Sequence, residues 1–437
     1  MKKIRGLILV LAMLLLFGGC GKEEEKATVY YLNFKPEAAE TWEEIAEAYT
    51  AETGIEVKIL TAANGNYEQT LKAEIAKRDA PTIFQINGPV GYNTWKNYCE
   101  DLSGTDLYSW LIDKDMAVAD GGAVYGIPYV VEGYGIIYND AIMQKYFALP
   151  TKGTTFTSMA EVNNYEKLSQ LVQDMTANKE ALGIKGVFAS TSFSAGEDWR
   201  WQTHLANLPV YYEFQDKNVA DTDVLDFTYA QNYKNIFDLY INNSCTDKME
   251  LVSKKVDDSM REFALGECAM VQNGNWAWGQ VSSIQGNLVA KENCKFLPIY
   301  TGVTGEEKQG LCIGTENYIC INSMASDEEK EASIAFLEWV YSSAEGKDYV
   351  TNELGFISPF NTFTEAESPS DPLAQEVLSY MNNTNLYSVS WNFTAFPSQK
   401  FKDNLGTHLL SYCKGSVNFK FGVLFAKDGQ LTDDDMF

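Results

Sequence analysis

Several short stretches set aromatic rings beside carboxylates and amides outside any helical period: Glu132-Gly133-Tyr134, Glu197-Asp198-Trp199-Arg200-Trp201, Asn273-Gly274-Asn275-Trp276-Ala277-Trp278 and Trp391-Asn392. Asn87 adds an amide in the turn Asn87-Gly88-Pro89. An indole offers a flat apolar face, and Asp, Glu, Asn and Arg offer planar donors and acceptors to a rim of hydroxyls. The combination suits a polyhydroxylated ring with C–H faces. Trp276 is the expected platform, because Gly274 lets backbone approach a ligand closely. Trp278 points the other way if the segment is extended, which makes it a packing residue. Asn275 reads as a hydroxyl partner or as a structural turn residue. Glu132 reads as an acceptor for hydroxyls or as an ion-paired loop carboxylate. Tyr134, Trp199, Trp391, Asn392 and Asn87 complete the candidate set. Trp201 and His204 are expected to pack against a following helix, and Asp198 to pair with Arg200.

Catalytic alternatives find little support. Glu132 and Glu197 would be the two acids of a glycosidase, but carboxylates are too abundant here for two to mean anything. The chain has no G-x-S-x-G, H-E-x-x-H, P-loop or redox motif. His204 and His408 are the only histidines and lack ligand-spaced neighbours. The cysteines beyond Cys20 lie at 99, 245, 268, 294, 312, 320 and 413, none as C-x-x-C, so no metal or cofactor is expected. A bridge such as Cys312 to Cys320 stays open on spacing alone.

The elements that must position these residues alternate in type. Residues 29–34 form a β-rich run. Residues 37–53 place Trp42, Ile45, Ala46 and Tyr49 on one helical face, with Gly54 as the stop. A strand over 55–59, a helix over 67–79 and a strand over 82–86 follow, which implies an α/β sheet with crossovers. Apolar β segments at 126–131 and 134–139 are joined by Glu132-Gly133. Helices are expected over 162–179, 229–242 and 259–266, the last leading into a strand from Cys268. Ser326-x-x-Glu329 is a capping box, with Ile334, Leu337, Val340 and Tyr341 as the buried stripe. Trp42 and Trp339 fall on such stripes and read as core.

Lys2, Lys3 and Arg5 precede an apolar run over 6–17 that suits a signal peptide (1–19) and is too short to span a bilayer. Cys20 follows Gly18-Gly19, as in a lipobox with Phe17 in place of the usual Leu. The expectation is lipidation at Cys20, a flexible charged tether over 20–27, and a location on the outer face of the cytoplasmic membrane. The formal charge of the chain is −26, which argues against nucleic acid, phosphorylated ligands and anionic lipid surfaces. The rest of the chain exceeds what one core serves, so two lobes are expected.

Taken in order, several motifs resemble the extracellular solute-binding proteins of carbohydrate ABC importers, the class containing maltose-binding protein. They are Tyr31-Leu32-Asn33-Phe34-Lys35-Pro36-Glu37, Thr53-Gly54-Ile55-Glu56-Val57, Ala80-Pro81-Thr82-Ile83-Phe84 with Thr82 in place of the common Asp, and Tyr125-Gly126-Ile127-Pro128-Tyr129 followed by Ile137-Tyr138-Asn139. Phe263-Ala264-x-Gly266-x-Cys268-Ala269-Met270 with Gly274-Asn275-Trp276, and Gly355-Phe356-Ile357-Ser358-Pro359, complete the series. The resemblance implies a type II periplasmic-binding-protein-like fold: two lobes, each a mixed sheet flanked by helices, hinged by interlobe crossings. Lobe one would be 28–137 plus 301–355, and lobe two 138–300 plus 356–437. It also implies capture of a carbohydrate and its passage to permease subunits; a monomer without catalysis is expected, and the number of candidate ring platforms leans toward an oligosaccharide over a monosaccharide. The alternatives are a polyamine or peptide ligand on the same architecture, a glycan-active enzyme, or a surface adhesin.

Overall fold

The structure is a computed structural model that describes residues 27–63, 66–219, 225–396 and 399–419. The expected signal peptide, Cys20 and nearly all of the tether lie outside the described residues. In chain order the strands are β1 Thr28–Asn33, β2 Glu56–Thr61, β3 Ile83–Asn87, β4 Val118–Asp120, β5 Ala123–Pro128 and β6 Glu132–Asn139. They continue as β7 Gly186–Phe188, β8 Cys268–Gly274, β9 Cys294–Leu297, β10 Gln309–Gly314, β11 Asn317–Ile321 and β12 Tyr387–Ser390.

Two mixed sheets divide these strands. One has the order β2-β1-β3-β11-β5-β4; the other runs β12-β10-β6-β8-β7, with β9 also paired to β6. β1 lies parallel to both β2 and β3, as right-handed crossovers through α1 (Ala39–Thr53) and α2 (Tyr67–Glu74) require. The expected stripe of α1 is buried, and Gly54 caps it at φ +75°, its N–H donating to the Thr50 carbonyl at 2.9 Å. α2 ends at Glu74, five residues before the expected stop.

Sheet membership puts the crossings elsewhere than expected. Residues 132–137 and 309–314, expected in lobe one, hydrogen-bond within the second sheet. Glu132 and Gly133 do not join two strands; they open β6, and residues 129–131 make the passage. A second passage spans Thr315 and Glu316 between β10 and β11. A third runs beside the first, where the Val131 N–H donates to the Ile357 carbonyl at 2.8 Å. Continuous apolar runs on both sides of each passage hide these boundaries from periodicity.

Each sheet has its own core. Tyr31, Trp42, Ile83, Ile319, Leu337 and Tyr341 lie in that of the first sheet; Tyr134, Ile136, Leu171, Phe188, Phe237 and Met270 lie in that of the second. Trp339 is half-buried rather than core, because its indole N–H reaches Glu52 at 2.9 Å on the surface side. Cys312 and Cys320 fall in different sheets, and the seven cysteines of the described residues are free thiols. The helix Asp327–Ser342 starts at the expected capping box: Ser326 Oγ accepts from the Glu329 N–H at 3.2 Å, and the Glu329 carboxylate accepts from the Ser326 N–H at 2.9 Å. Leu337 on that helix is fully buried. Leu337→Ala therefore should cost about 2–5 kcal/mol in urea unfolding; an unchanged midpoint would show that this helix does not hold the first core together.

Candidate functional site

Strand carboxyl ends from both sheets converge on one region. Lys35 follows β1, Asn87 ends β3, Ser190–Ser194 follow β7, Asn275-Trp276 follow β8, and Trp391-Asn392 follow β12. Open α/β sheets place ligands at such ends. The two halves meet there: α3 (Gly88–Trp95) begins against the turn Phe393–Ala395, so closely that a Cβ on Gly88 would sit 3.0 Å from the Thr394 Cβ.

A buried ion pair forms the floor. Lys35 Nζ lies 2.7 Å from Glu132 Oε1 and 3.6 Å from Glu37 Oε1, with Lys35 and Glu132 only 7% and 5% exposed. Burial opposes the charge on Lys35, but Glu132, Glu37 and Glu316 outweigh it, and the ammonium is held cationic. Burial also raises the Glu132 carboxyl, with Lys35 pulling it back. The loop carrying Lys35 is fixed by Asn33, whose amide donates to the Lys35 carbonyl at 2.8 Å and accepts the Lys35 N–H at 3.0 Å.

Rings stand around this pair. The half-buried Trp276 ring lies 5.5 Å from Lys35 Nζ. Trp199, also half-buried, has its ring 6.2 Å from that of Trp276 and edge-on to His204 at 5.0 Å. His204 stacks on Tyr134 at 4.4 Å and lies 6.0 Å from Trp391 and 5.3 Å from Phe393. Burial, and then the charges of Arg200, Lys402 and Lys35, hold His204 far below the usual imidazole range, so it is neutral. Trp199, Arg200 and His204 reach these positions because residues Arg200–Leu205 form a π-helical turn, which rotates side chains away from the α-helical register.

The expected residues separate into two groups. Glu132, Trp276, Trp199, Trp391, Asn392 and Asn87 come together at the junction. Asn87 is tied up, its amide donating to Glu316 at 3.1 Å. The Asn392 backbone N–H donates to Asn207 Oδ1 at 2.6 Å. Tyr134 is fully buried, with its hydroxyl donating to the His204 carbonyl at 2.9 Å; it supports the ring stack from beneath. Asn275 is the structural residue of its two readings: its Oδ1 accepts from the Gly133 N–H, and its N–H donates to the Gly133 carbonyl, both at 2.9 Å. Gly274 is required, yet for packing: a Cβ there would lie 2.1 Å from the Trp276 ring. The strand ends at Gly274 and a helix starts at Ala277, so Trp276 and Trp278 do not alternate as in an extended segment.

Trp201 and His204 are buried, but His204 joins the ring cluster instead of packing as a plain helix residue. Asp198 does not pair with Arg200. It packs beside Gly406 of the helix Gln399–Cys413, near Asp403, and burial with that neighbouring acid raises it to about 6. Sequence reasoning missed Lys35, Glu316 and Lys402. Applying the strand-end rule to β1 as well as β3 would have found Lys35.

Two predictions follow from these charges. Glu132→Gln leaves the Lys35 ammonium without its nearest carboxylate and should cost about 3–5 kcal/mol in urea unfolding. Joint replacement by Lys35→Met with Glu132→Leu should cost far less, and equal losses would show that the charge is not the source. For Asp198, the folded group holds its proton up to about 6 against an ordinary 3.8. Ionising it in place costs stability as pH rises through that window. Asp198→Asn should exceed the parent in stability at pH 7 and match it near pH 4; a constant gap would contradict this.

The region from 44 to 376 matches the family model described as "Bacterial extracellular solute-binding protein". Among solved structures, the chain is similar to the solute-binding protein RafE in complex with raffinose, at 19% identity over 90% of this chain and 97% of that one, with a TM-score of 0.67. A chitin oligosaccharide binding protein aligns at 18% identity over 90% and 94%, with a TM-score of 0.68. Maltose-bound MalE3 of T. maritima aligns at 16% over 89% and 95%, with a TM-score of 0.64. These likenesses bear out the expected two-lobe, type II fold. A stretch of 24 residues is 92% identical to GTPase-activating Rap/Ran-GAP domain-like protein 3 of Homo sapiens, 6% of this chain. The chain spans about 2% of the length of that curated relative, and the match bears on no function. The family model covers well over half the chain, and the protein belongs to the bacterial extracellular solute-binding proteins.

Proposed function

We propose that this protein captures a carbohydrate, an oligosaccharide sooner than a monosaccharide, at the junction between its two halves and delivers it to an ABC importer. The observation that carries the reading is the pair of half-buried indoles, Trp276 and Trp199, set beside the Lys35–Glu132 pair where strand ends of both sheets meet. Rings give a saccharide its stacking faces, and the carboxylates and ammonium give its hydroxyls acceptors and donors. The neighbours described with raffinose, chitin oligosaccharide and maltose support the same chemistry. Opening would occur about the passages at 129–131, 315–316 and 357, and ligand would shift the population toward the closed form. Attachment through Cys20 would keep the protein beside its permease.

The polyamine reading loses ground to Lys35. A cationic ligand would seek the face of Trp276 and the Glu132 carboxylate, and the chain's own ammonium already occupies both. No group here is proposed to act catalytically: Glu132 is engaged with Lys35, and Glu197 accepts from the Val256 N–H at 3.2 Å.

The test is a thermal-shift and calorimetric panel of raffinose, chito-, malto- and xylo-oligosaccharides against spermidine and short peptides. At least one neutral oligosaccharide should raise the melting temperature and spermidine should not; the reverse would overturn the reading. Trp276→Ala should weaken that sugar by about 2 kcal/mol, roughly thirtyfold, with the fold intact. An unaltered titration curve would remove Trp276 from the site.

A further inference from the structure

Arg200 is fully buried, and among the described residues no carboxylate forms an ion pair with it. Its Nη2 donates to Ser192 Oγ at 2.7 Å and its Nη1 to the Gln272 carbonyl at 3.4 Å, while Nε has no partner. Glu197, Glu262 and Asp257 act on it through space and make no hydrogen bond with it. Glu262 is committed elsewhere, accepting from the Ser190 N–H at 2.6 Å, Thr246 Oγ1 at 2.9 Å and Lys254 Nζ at 3.1 Å. Burial lowers the guanidinium only to about 10, so it stays charged at neutral pH. The Trp199 ring, 5.4 Å from the guanidinium carbon, offsets a fraction of the desolvation.

Ser192 belongs to a run of small hydroxyl residues. Residues 190–194, after β7, are Ser-Thr-Ser-Phe-Ser. Ser192 Oγ is 3.1 Å from Ser259 Oγ, and Ser259 Oγ donates to the Ser190 carbonyl at 2.7 Å. The hydroxyls of Thr191 and Ser194 are buried without a hydrogen-bond partner. A buried cation persists where an opposite charge completes its shell, and buried polar atoms without partners call for one. Nothing in the neutral-sugar chemistry above uses these groups.

We infer that Arg200, with the Ser192 hydroxyl, holds a small monoanionic group behind Trp199: a free halide, or the carboxylate of an acidic sugar. The halide source is independent of the proposed function, whereas the sugar source rests on it.

The experiment uses the mature chain and Arg200→Met. Melting temperatures are recorded while sodium chloride or bromide replaces sodium gluconate at fixed ionic strength. Both proteins are then titrated with a galacturonate trisaccharide and with the neutral oligosaccharide found in the panel above, and wild-type crystals are soaked in bromide. A saturable halide-dependent rise in wild type that vanishes in Arg200→Met, with an anomalous bromide peak within about 3.5 Å of the guanidinium, establishes the halide source. No halide effect, together with a galacturonate affinity that falls at least tenfold further in Arg200→Met than the neutral-sugar affinity does, establishes the carboxylate source. No Arg200-dependent response to either anion overturns the inference. Should Arg200→Met not fold, wild type alone decides: no bromide peak, no halide dependence and no galacturonate binding overturn it equally. Neutral-sugar binding can succeed or fail regardless of this outcome, which keeps the two readings apart.

Discussion

An ammonium and a carboxylate meet at 2.7 Å where the first sheet hands the chain to the second, and the functional region is arranged around that contact. Lys35 arrives from the end of β1 and Glu132 opens β6, so one interaction ties the two sheets at the passage between them. Removed from water, each charge depends on the other, and this makes the geometry exacting. Glu37 and Glu316 add negative charge nearby and hold Lys35 in its cationic form. The Trp276 ring takes its place against the same ammonium. A floor with fixed charges and a fixed ring would suit the carbohydrate proposed above, whose hydroxyls and faces must be met together.

The ring cluster depends in turn on backbone features with no ring of their own. Gly274 leaves room for Trp276 to fold back over the strand end, and Asn275 pins that end to Gly133. The π-helical turn at Arg200–Leu205 sends His204 onto Tyr134 and leaves Arg200 behind Trp199. Neutral His204 belongs to the stack as an aromatic ring, because burial, and then Arg200 and two lysines, disfavour its protonation. The second half thus supplies the aromatic wall, while the first supplies Lys35 and the α3 terminus that close against it.

Local signals were legible wherever one element settles its own fate. The stripe and glycine stop of α1, the capping box at Ser326 and the strand–helix alternation to β3 follow from residues a few positions apart. The passages between sheets were not legible at their true positions. Residues 126–139 are mostly apolar with Glu132 as their one charge, and only pairing with β8, β9 and β10 assigns 132–137 to the second sheet. Thr82, which departs from the family pattern, accepts from the Tyr30 N–H at 3.0 Å and from Ser333 at 2.7 Å, a structural use that spacing could not reveal.

By itself the sequence determined the fold class, the family motifs in their order, and the stretches in which rings stand beside amides and acids, because those properties reside in residue types and short spacings. Tertiary structure decided what each of those residues does. Asn275 became a strand clamp, Tyr134 a buried support and Asn87 a partner of Glu316, while Lys35, distant in sequence from every aromatic cluster, moved to the centre. The physical reason is that a side chain's role follows from its burial and its partners, and at this junction the partners lie up to 229 residues apart.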